Sequence, residues 1–500
     1  MSTLDQDRES ILRTRRGFLR HAGCAALGTI GIASVIRDFR LINSAMAQPS
    51  ANGFTDYKAM VCIHLGGGND CNNFVIPRGT AHASYTVARQ NLAIAENLVQ
   101  PITPLNNDGN EYGFHPNCIE LANLFNNRKL AILFNVGPLL YPTNRNSYRG
   151  KLVPLPPQLF SHSDQVTHWQ TSLPDQPPRT GWGGRIADLL HPHQNELISD
   201  TLLRAKISLT TSIAGSNTFE VGSTVQQYHV STNGAVLLAG AAARSARETT
   251  VRDIARLPQA NLQADAYGDI MDNAVATGSL LNNAITATSA NAYWTTPFPN
   301  TSLGNQLKMV ARLIAGRTNL NVKRQIFFVS VGGYDTHTSQ LGNGANPGNP
   351  LFGAHADLMN ELSESIQAFQ SAIEQLSVLP GSEGLSDGIV GFTASDFGRT
   401  LPTNGQGSDH GWGSHHIIFG GSGNPTTGAV KGQKTYGTFP VLQVNGPDDT
   451  STGRWIPRTS VDEYSATLAK WFGVSPTYMP VVFPNLTRFA TPDLGFMNNA

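Results

Sequence analysis

The chain has 500 residues, of which 40% are hydrophobic and 14% are charged, and 35 Lys and Arg balance 35 Asp and Glu. This balance leaves no basic excess of the kind that binding to a nucleic-acid backbone needs, so nucleic acid is not an expected partner. The sequence has no Gly-X-Y repeat and no run of 18 uninterrupted apolar residues, so we expect a globular protein without a permanent membrane span.

The N-terminus has the features of an export signal. The pair Arg15-Arg16 is followed two places later by Phe-Leu and then by a short apolar stretch diluted with Gly and Ala. This pattern resembles a twin-arginine signal, and the small residues that end at Ala47 favour cleavage there. We therefore expect residues 1–47 to be a signal peptide recognised by the twin-arginine translocation machinery. Residues 48–500 are expected to form a periplasmic or secreted protein.

Three cysteines remain after the expected cleavage: Cys62, Cys71 and Cys118. An odd number of cysteines in an oxidising compartment allows one disulfide, for which Cys71 and Cys118 are candidates, and at least one buried thiol is expected. No Cys-x-x-Cys spacing indicates a zinc knuckle.

Five short apolar runs, each followed by a polar or Gly-rich cluster, predict buried strands of a parallel sheet. The runs are Ala59–Leu65, Leu130–Phe134, Ile326–Val331, Ile389–Thr393 and Ile417–Phe419. Helical patterns lie between them, at residues 119–126, 303–316, 355–376 and 461–472. Strands that alternate with helices predict an α/β sandwich with a mostly parallel sheet.

The region at about 195–300 differs in composition from the rest of the chain. It is rich in Ser, Thr, Asn and Ala, and its helical patterns lie near residues 235–255 and 264–285. We expect an insertion that packs beside the main sheet.

Carboxylates and imidazoles follow or precede the predicted strands. They are Asp70, Asp335, His337, Asp396, Asp409, His410, His415 and His416. Loops at the carboxyl ends of parallel strands converge on one crevice, so we expect Asp70, Asp335, His337, Asp396 and at least one later histidine to meet there. Carboxylates and imidazoles crowded in one crevice repel one another unless a cation lies between them. We predict two divalent cations, with zinc or manganese favoured by mixed O and N ligands and calcium or magnesium by a site without imidazoles.

Two further motifs contain a candidate nucleophile and a candidate anion-binding residue. Ser161 lies at a predicted helix start, where free backbone N–H groups and the helix dipole favour an alkoxide and an anionic substrate. The alternative is that Ser161 or Ser163 only caps the helix. Arg399, just past Asp396, is expected either to hold an oxygen of a phosphate or sulfate group or to form a surface salt bridge.

Two features near the first predicted strand are interpreted as structural. The run Gly66-Gly67-Gly68 lacks the spacing of a P-loop or a dinucleotide-binding loop, so we expect it to let the backbone approach a ligand closely. His64 lies within the strand and is expected to be a core histidine.

A series of motifs in this order resembles the secreted bacterial family catalogued as domain of unknown function 1501. They are GGGND, FHPNCIELANLF, KLAILFNVG, FSHSDQVTHWQT, TGWGGR, NQLKMVARLI, VGGYDTH, SDFGRT, DHGWGSHH and VDEYSATLAKWFGV. The resemblance runs from about residue 58 to 475 and is weakest across 195–300. That family is similar to a distant branch of the alkaline phosphatase and sulfatase superfamily. The similarity implies a three-layer α/β/α sandwich, a two-metal site and a Ser, Thr or formylglycine nucleophile.

The resemblance assigns metal ligands residue by residue. Asp70 matches a ligand of the superfamily's second metal. Asp335 and His337 resemble its Asp-x-x-x-His pair at the first metal, with a spacing that is shorter here by two. His415 resembles the late histidine that completes the first metal site, with His416 as the alternative.

The second metal site departs from the superfamily pattern. Asp396 matches the Asp of a Thr-Ala-Asp-His strand end, but Phe397 replaces the histidine. The pair Asp409-His410 is expected to restore the lost ligand. Ser161 is the best match for the nucleophile, and no Cys or Ser lies in a Cys/Ser-x-Pro-x-Arg motif, which disfavours a formylglycine sulfatase.

The sequence therefore predicts an exported, metal-dependent hydrolase of phosphate or sulfate esters. Its expected substrate is a small anionic ester or a sulfated or phosphorylated glycan. The alternative is a non-catalytic, metal-bearing secreted protein that binds an anionic glycan or acts as a scaffold. The replacement of a histidine ligand by Phe397 favours this alternative, whereas Ser161 at a helix start favours the enzyme.

Overall fold

A computed structural model describes residues 54–194, 207–235, 237, 245–258, 261–288 and 293–498. The predicted signal peptide and its cleavage site lie outside the described residues. Among the described helices, none combines the length and the apolar character that crossing a membrane requires.

The described strands form one large sheet and one small sheet. In chain order they are β1 (Lys58–Leu65), β2 (Val75–Arg78), β3 (Gln100–Ile102), β4 (Glu111–Phe114), β5 (Leu130–Gly137), β6 (Thr210–Ser212), β7 (Tyr228–Ser231), β8 (Gly234–Ala235), β9 (Arg324–Val331), β10 (Ile389–Ser395), β11 (Ser414–Gly420), β12 (Thr435–Tyr436) and β13 (Thr459–Ser460). The large sheet has the order β12-β5-β11-β10-β1-β9-β6-β7-β8, with β13 also paired to β5. The small sheet has the order β2-β4-β3 and is antiparallel.

The five predicted strands are confirmed, and one of them differs in direction from the prediction. Strand β1 is parallel to both β9 and β10, with Ile63 opposite Val329 and Thr393. Strand β11 runs antiparallel to both β10 and β5. Its first residues therefore lie at the sheet edge where β1, β9 and β10 end. The sheet is mostly parallel rather than wholly parallel.

Helices pack on both faces of the large sheet. They are α1 (Cys71–Phe74), α2 (Thr80–Arg89), α3 (Ile119–Asn126), α4 (Arg145–Gly150), α5 (His162–Thr171), α6 (Trp182–Gln194), α7 (Ala246–Ala255), α8 (Leu262–Ala287), α9 (Ser302–Ala315), α10 (Ala354–Ser377), α11 (Val461–Phe472) and α12 (Met479–Val482). Val61 and Ile63 of β1 share a core with α3, α9 and α10, whereas Met60 and Cys62 share the other core with α6 and α11. Because successive side chains of a strand point to opposite faces, one uninterrupted apolar run supplies both cores.

The insertion is partly continuous with the sheet. Strand β6 pairs in parallel with β9, with Thr211 opposite Phe327, and β7 and β8 extend the same edge. Residues 210–235 therefore widen the central sheet, which corrects the expectation that the insertion only packs beside it. The helix expected at residues 264–285 is confirmed as α8, and α7 covers the second half of the other expected helix.

The disulfide that the sequence allowed between Cys71 and Cys118 is not formed. Cys62, Cys71 and Cys118 are all free and buried. The sulfur of Cys71 lies 3.9 Å from the carbonyl oxygen of Gly413, and that of Cys118 lies 3.6 Å from the carbonyl oxygen of Met359. Each thiol is packed against a different part of the backbone.

Candidate metal centre

The loops that follow β1, β9 and β10 meet at the carboxyl edge of the sheet, as the sequence predicted. The backbone N–H of Tyr334 donates to the carbonyl of Gly66 at 3.1 Å. Gly67 has a φ of 114°, and a Cβ there would overlap the backbone nitrogen of Asp335. The glycine run therefore allows a close approach of the neighbouring loop, and this contact sets the position of Asp335.

Imidazole nitrogens converge on the carboxylate of Asp335. Its Oδ1 lies 3.1 Å from Nε2 of His337 and 3.4 Å from Nε2 of His410, and its Oδ2 lies 3.5 Å from Nε2 of His162. One potential ligand atom from each of His162, Asp335 and His410 lies within 4.8 Å of the others. Ligands bound tetrahedrally to zinc are about 3.3 Å apart, because each is about 2.0–2.1 Å from the ion. The observed separations therefore fit a single cation.

Two of these imidazoles are oriented through their other nitrogen. Nδ1 of His410 lies 2.8 Å from the carbonyl oxygen of Phe160, and Nδ1 of His162 lies 2.7 Å from Oδ2 of Asp396. A carbonyl oxygen only accepts hydrogen bonds, so Nδ1 of His410 is the donor and its Nε2 keeps a lone pair. Anchoring one ring nitrogen so that the other faces a common centre is typical of metal-binding histidines.

The third imidazole follows the same pattern. Nδ1 of His337 lies 3.0 Å from Oδ1 of Asp409, and its Nε2 lies 2.8 Å from Nε2 of His410. When both Nδ1 atoms carry the proton, two nitrogen lone pairs face each other across this short distance. A cation or a shared proton between the rings removes the resulting repulsion.

The pKa shifts of Asp335 and His410 suit a divalent cation, whereas that of His162 favours its protonated form. The hydrogen bond to Asp396 raises the pKa of His162 above its ordinary value, whereas burial lowers the pKa of His410. Partial burial of Asp335 opposes its ionisation, but the hydrogen bond and charge of Arg399 outweigh that effect and lower its pKa. Asp335 is therefore anionic and His410 is neutral near pH 7, and these are the forms that bind a metal.

Arg399 is buried behind Asp335. Its Nη1 donates to Oδ1 of Asp335 at 2.7 Å and to the carbonyl of Gly67 at 3.1 Å. Its Nε and Nη2 donate to the carbonyl of Ser408. Of the two expected roles, the structure shows an ion pair, but a buried one instead of a surface salt bridge. All three guanidinium nitrogens are engaged, and together they join Asp335 to the loops of Gly67 and Ser408.

Asp70 lies in a separate buried ion pair. Its carboxylate is paired with Arg89, accepts a hydrogen bond from the side chain of Gln340, and caps α1 by accepting from the N–H of Asn72 at 3.2 Å. Burial alone would raise the pKa of Asp70, but the charge of Arg89 and the other donors lower it. The structure does not bring Asp70 into the group formed by His162, Asp335 and His410.

His415 and His416 lie in the core among aromatic side chains. Nδ1 of His415 accepts from the N–H of Asn135 at 3.1 Å, and the ring of His416 packs 4.7 Å from that of Trp169. Burial lowers the pKa of each imidazole to about 3. The structure places both histidines on β11 within the sheet and not with the three converging imidazoles.

Asp396 and Phe397 surround the converging imidazoles without joining them. Asp396 holds His162, and its Oδ1 lies 3.5 Å from Nε2 of His64, which is buried as expected. The ring of Phe397 packs 4.8 Å from that of His162 and 4.7 Å from that of His410. Phe397 therefore packs against two of the converging imidazoles and supplies no ligand atom.

Ser161 occupies the N-cap position of α5 but does not cap it with its side chain. Its hydroxyl donates to Oδ2 of Asp164 at 2.6 Å and lies 3.3 Å from the hydroxyl of Ser163. The capping alternative is therefore not observed for Ser161. The hydroxyl is paired with a carboxylate one turn into the helix and directly precedes His162.

Sequence reasoning did not select His162 as a ligand. The only signal was its position in the FSHSD motif at a helix start, where Ser161 and Ser163 offered simpler explanations. Asp409 was grouped with the site, but its role in orienting His337 becomes apparent only in the structure.

Comparison with known proteins identifies one family. A family model described as protein of unknown function (DUF1501) matches residues 57–452. This range includes Asp335, His162, His337 and His410. No curated protein matches the chain.

Proposed function

We propose that this chain, which belongs to the DUF1501 family, is an exported metal-dependent hydrolase of phosphate or sulfate esters. The observation that carries the proposal is the convergence of His162, His337 and His410 on the carboxylate of Asp335. Each imidazole has its Nδ1 held by an acceptor, which leaves its Nε2 available as a ligand.

The geometry favours one cation over the two expected from the sequence. Asp70 is neutralised by Arg89, and His415 is part of the core, so neither supplies a ligand to a second ion in this arrangement. His162, His410 and Asp335 have ligand atoms close enough together for one ion, and two imidazoles with one carboxylate suit zinc or manganese and leave a fourth position open. We propose a single site of this kind.

The side chains around such an ion have separate roles in the proposed reaction. When bound, the ion would act as a Lewis acid on an oxygen of the ester. Asp335, fixed by Arg399, and the imidazoles of His162 and His410 would hold it, and the side-chain exposure of 46% at Asp335 and 34% at His162 leaves an open side for substrate. Ser161 attacks phosphorus or sulfur while its proton moves to the carboxylate of Asp164. The ester oxygen leaves with the electron pair of the broken bond and takes that proton from Asp164, so that it departs as the alcohol. Water then hydrolyses the seryl ester and regenerates Ser161.

The second candidate is a metal-bearing protein that binds an anionic glycan without cleaving it. Phe397 favours this function because its ring packs against both His162 and His410 and supplies no ligand atom there. In that case the same centre anchors an anion, and the hydroxyl of Ser161 has no covalent role.

Metal analysis of the purified mature protein, followed by a substrate panel, tests the proposal. The panel contains an aryl phosphate, a phosphodiester and an aryl sulfate, assayed with the wild type, Asp335→Ala and the control Asp253→Ala on the exposed surface of α7. We expect metal-dependent hydrolysis that Asp335→Ala abolishes and Asp253→Ala retains. A wild type that binds metal and anions but hydrolyses nothing in the panel supports the binding protein instead.

Export is tested separately by replacing Arg15 and Arg16 with Lys. We expect the unprocessed chain to remain in the cytoplasmic fraction, since paired arginines are the recognised feature of this signal class. Normal processing of the variant would contradict twin-arginine export.

A further inference from the structure

Arg454 lies beside the candidate metal centre and is held there by two residues. Its Nε donates to the main-chain carbonyl of His410 at 2.8 Å, and its guanidinium carbon lies 4.2 Å from the centre of the Phe160 ring. The same two residues contact each other, because Nδ1 of His410 donates to the carbonyl of Phe160. The guanidinium is therefore fixed against the residues that orient one of the proposed metal ligands.

The outer edge of this guanidinium is available to a ligand. In the part of the chain that the structure describes, Nη1 and Nη2 of Arg454 take part in no hydrogen bond or ion pair, and they are not among the buried polar atoms that lack a partner. Both nitrogens are therefore open to solvent. Stacking on Phe160 and the Nε hydrogen bond have already restricted the side chain, so binding a ligand costs little further conformational entropy.

Binding of an anion at this centre requires a positively charged side chain near it. Three carboxylates contact the converging imidazoles: Asp335, Asp396 and Asp409. Their negative charge equals the combined charge of Arg399 and one divalent ion, so these groups leave no excess positive charge. Arg399 is buried, and its nitrogens are already engaged. An approaching oxyanion therefore meets net positive charge only through Arg454.

We infer that Arg454 binds the tetrahedral oxyanion of the substrate, a phosphate or sulfate group, through Nη1 and Nη2. The planar fork of a guanidinium matches two oxygens of such a group. Arg454 thus takes the role that the sequence suggested for Arg399. The inference rests on the proposed function, because it names the residue that recognises the anionic part of the ester.

Titration calorimetry with inorganic phosphate and, separately, inorganic sulfate tests the inference on the mature protein at low ionic strength. The variants are Arg454→Ala, Arg454→Lys and the control Arg247→Ala, which removes an exposed arginine from α7. Metal content is measured for each. We expect Arg454→Ala to weaken binding of at least one anion by about ten- to a hundredfold with metal content retained. Arg454→Lys should lose less affinity for the anion, and Arg247→Ala should bind it with the affinity of the wild type.

The remaining outcomes separate this inference from the proposed function. Unchanged affinity of Arg454→Ala for both anions overturns the inference, and so does a wild type that contains metal but binds neither anion. Loss of metal from both Arg454 variants also overturns it, because Arg454 then serves only to hold His410. A wild type that lacks metal but binds an anion through Arg454 refutes the proposed hydrolase and leaves the inference standing.

Discussion

Replacing Asp335 by Asn tests the metal centre most directly. The carboxylate of Asp335 is approached by Nε2 of His337 and His410 at 3.1 and 3.4 Å, and its other oxygen faces Nε2 of His162 at 3.5 Å. Asn keeps the shape of the side chain but removes the negative charge that faces the three Nε2 atoms. The amide also leaves the buried Arg399 without its counter-charge, which lowers stability whether or not metal is bound. The quantity to compare between the wild type and Asp335→Asn is therefore the rise in Tm when metal is added.

The expected size follows from binding linkage. A cation present at a hundredfold excess over its Kd adds about 2.7 kcal/mol to the free energy of unfolding. For the 448 residues from Gly53 to Ala500, an unfolding entropy of about 2.1 cal/mol/K per residue gives about 0.9 kcal/mol/K in total. The Tm of the wild type should therefore rise by about 3 °C. If Asp335→Asn weakens binding a hundredfold, the same metal concentration adds about 0.4 kcal/mol, or less than about 1 °C.

The assay compares chelator-stripped protein with protein to which Zn²⁺ or Mn²⁺ has been restored, using scanning calorimetry and metal analysis. Asp253→Asn is the matched control because it removes one exposed carboxylate from α7, within the insertion. We expect the control to keep the full metal-dependent rise in Tm. A wild type with no bound metal and no rise with either ion refutes the reasoning, and so does a full rise in Asp335→Asn.

Three further predictions follow from the geometry. Ser161→Ala should retain metal and anion affinity but lose about a hundredfold or more in turnover, because the nucleophile acts only in the transition state; full activity in a steady-state assay would exclude Ser161. Gly67→Ala should lower both Tm and metal affinity, since its Cβ would displace the backbone of Asp335, whereas Gly109→Ala, also at positive φ but with open space around it, should lower Tm less and leave metal affinity unchanged. Burial lowers the pKa of His416 to about 3, so the unfolded state binds more protons between about pH 6.5 and pH 3 and stability falls as pH decreases through that range. Urea unfolding should show that His416→Asn reduces the loss between pH 7 and pH 4 by about 3 kcal/mol, and an unchanged loss would contradict this assignment.

The sequence by itself determined the elements and the edge at which the site forms. A buried parallel strand needs apolar side chains on both faces, so runs such as Ala59–Leu65 and Ile389–Thr393 are recognisable without knowledge of their neighbours. The loops after such strands share one edge, and of the residues expected there the structure brings Asp335, His337 and His410 together but not Asp70. The helices at residues 119–126 and 461–472 were likewise predictable from local periodicity.

Tertiary structure alone decided which polar residues serve the site. Asp70 and Asp335 are both carboxylates that follow a strand, yet Asp70 is neutralised by Arg89 in the interior and Asp335 faces three imidazoles. The antiparallel direction of β11 similarly places His415 among core side chains while His410, five residues earlier, faces the centre. Whether a side chain becomes a ligand, an ion-pair partner or a core residue depends on the groups within about 3 Å of its polar atoms. Those groups come from distant parts of the chain, so no local pattern in the sequence specifies them.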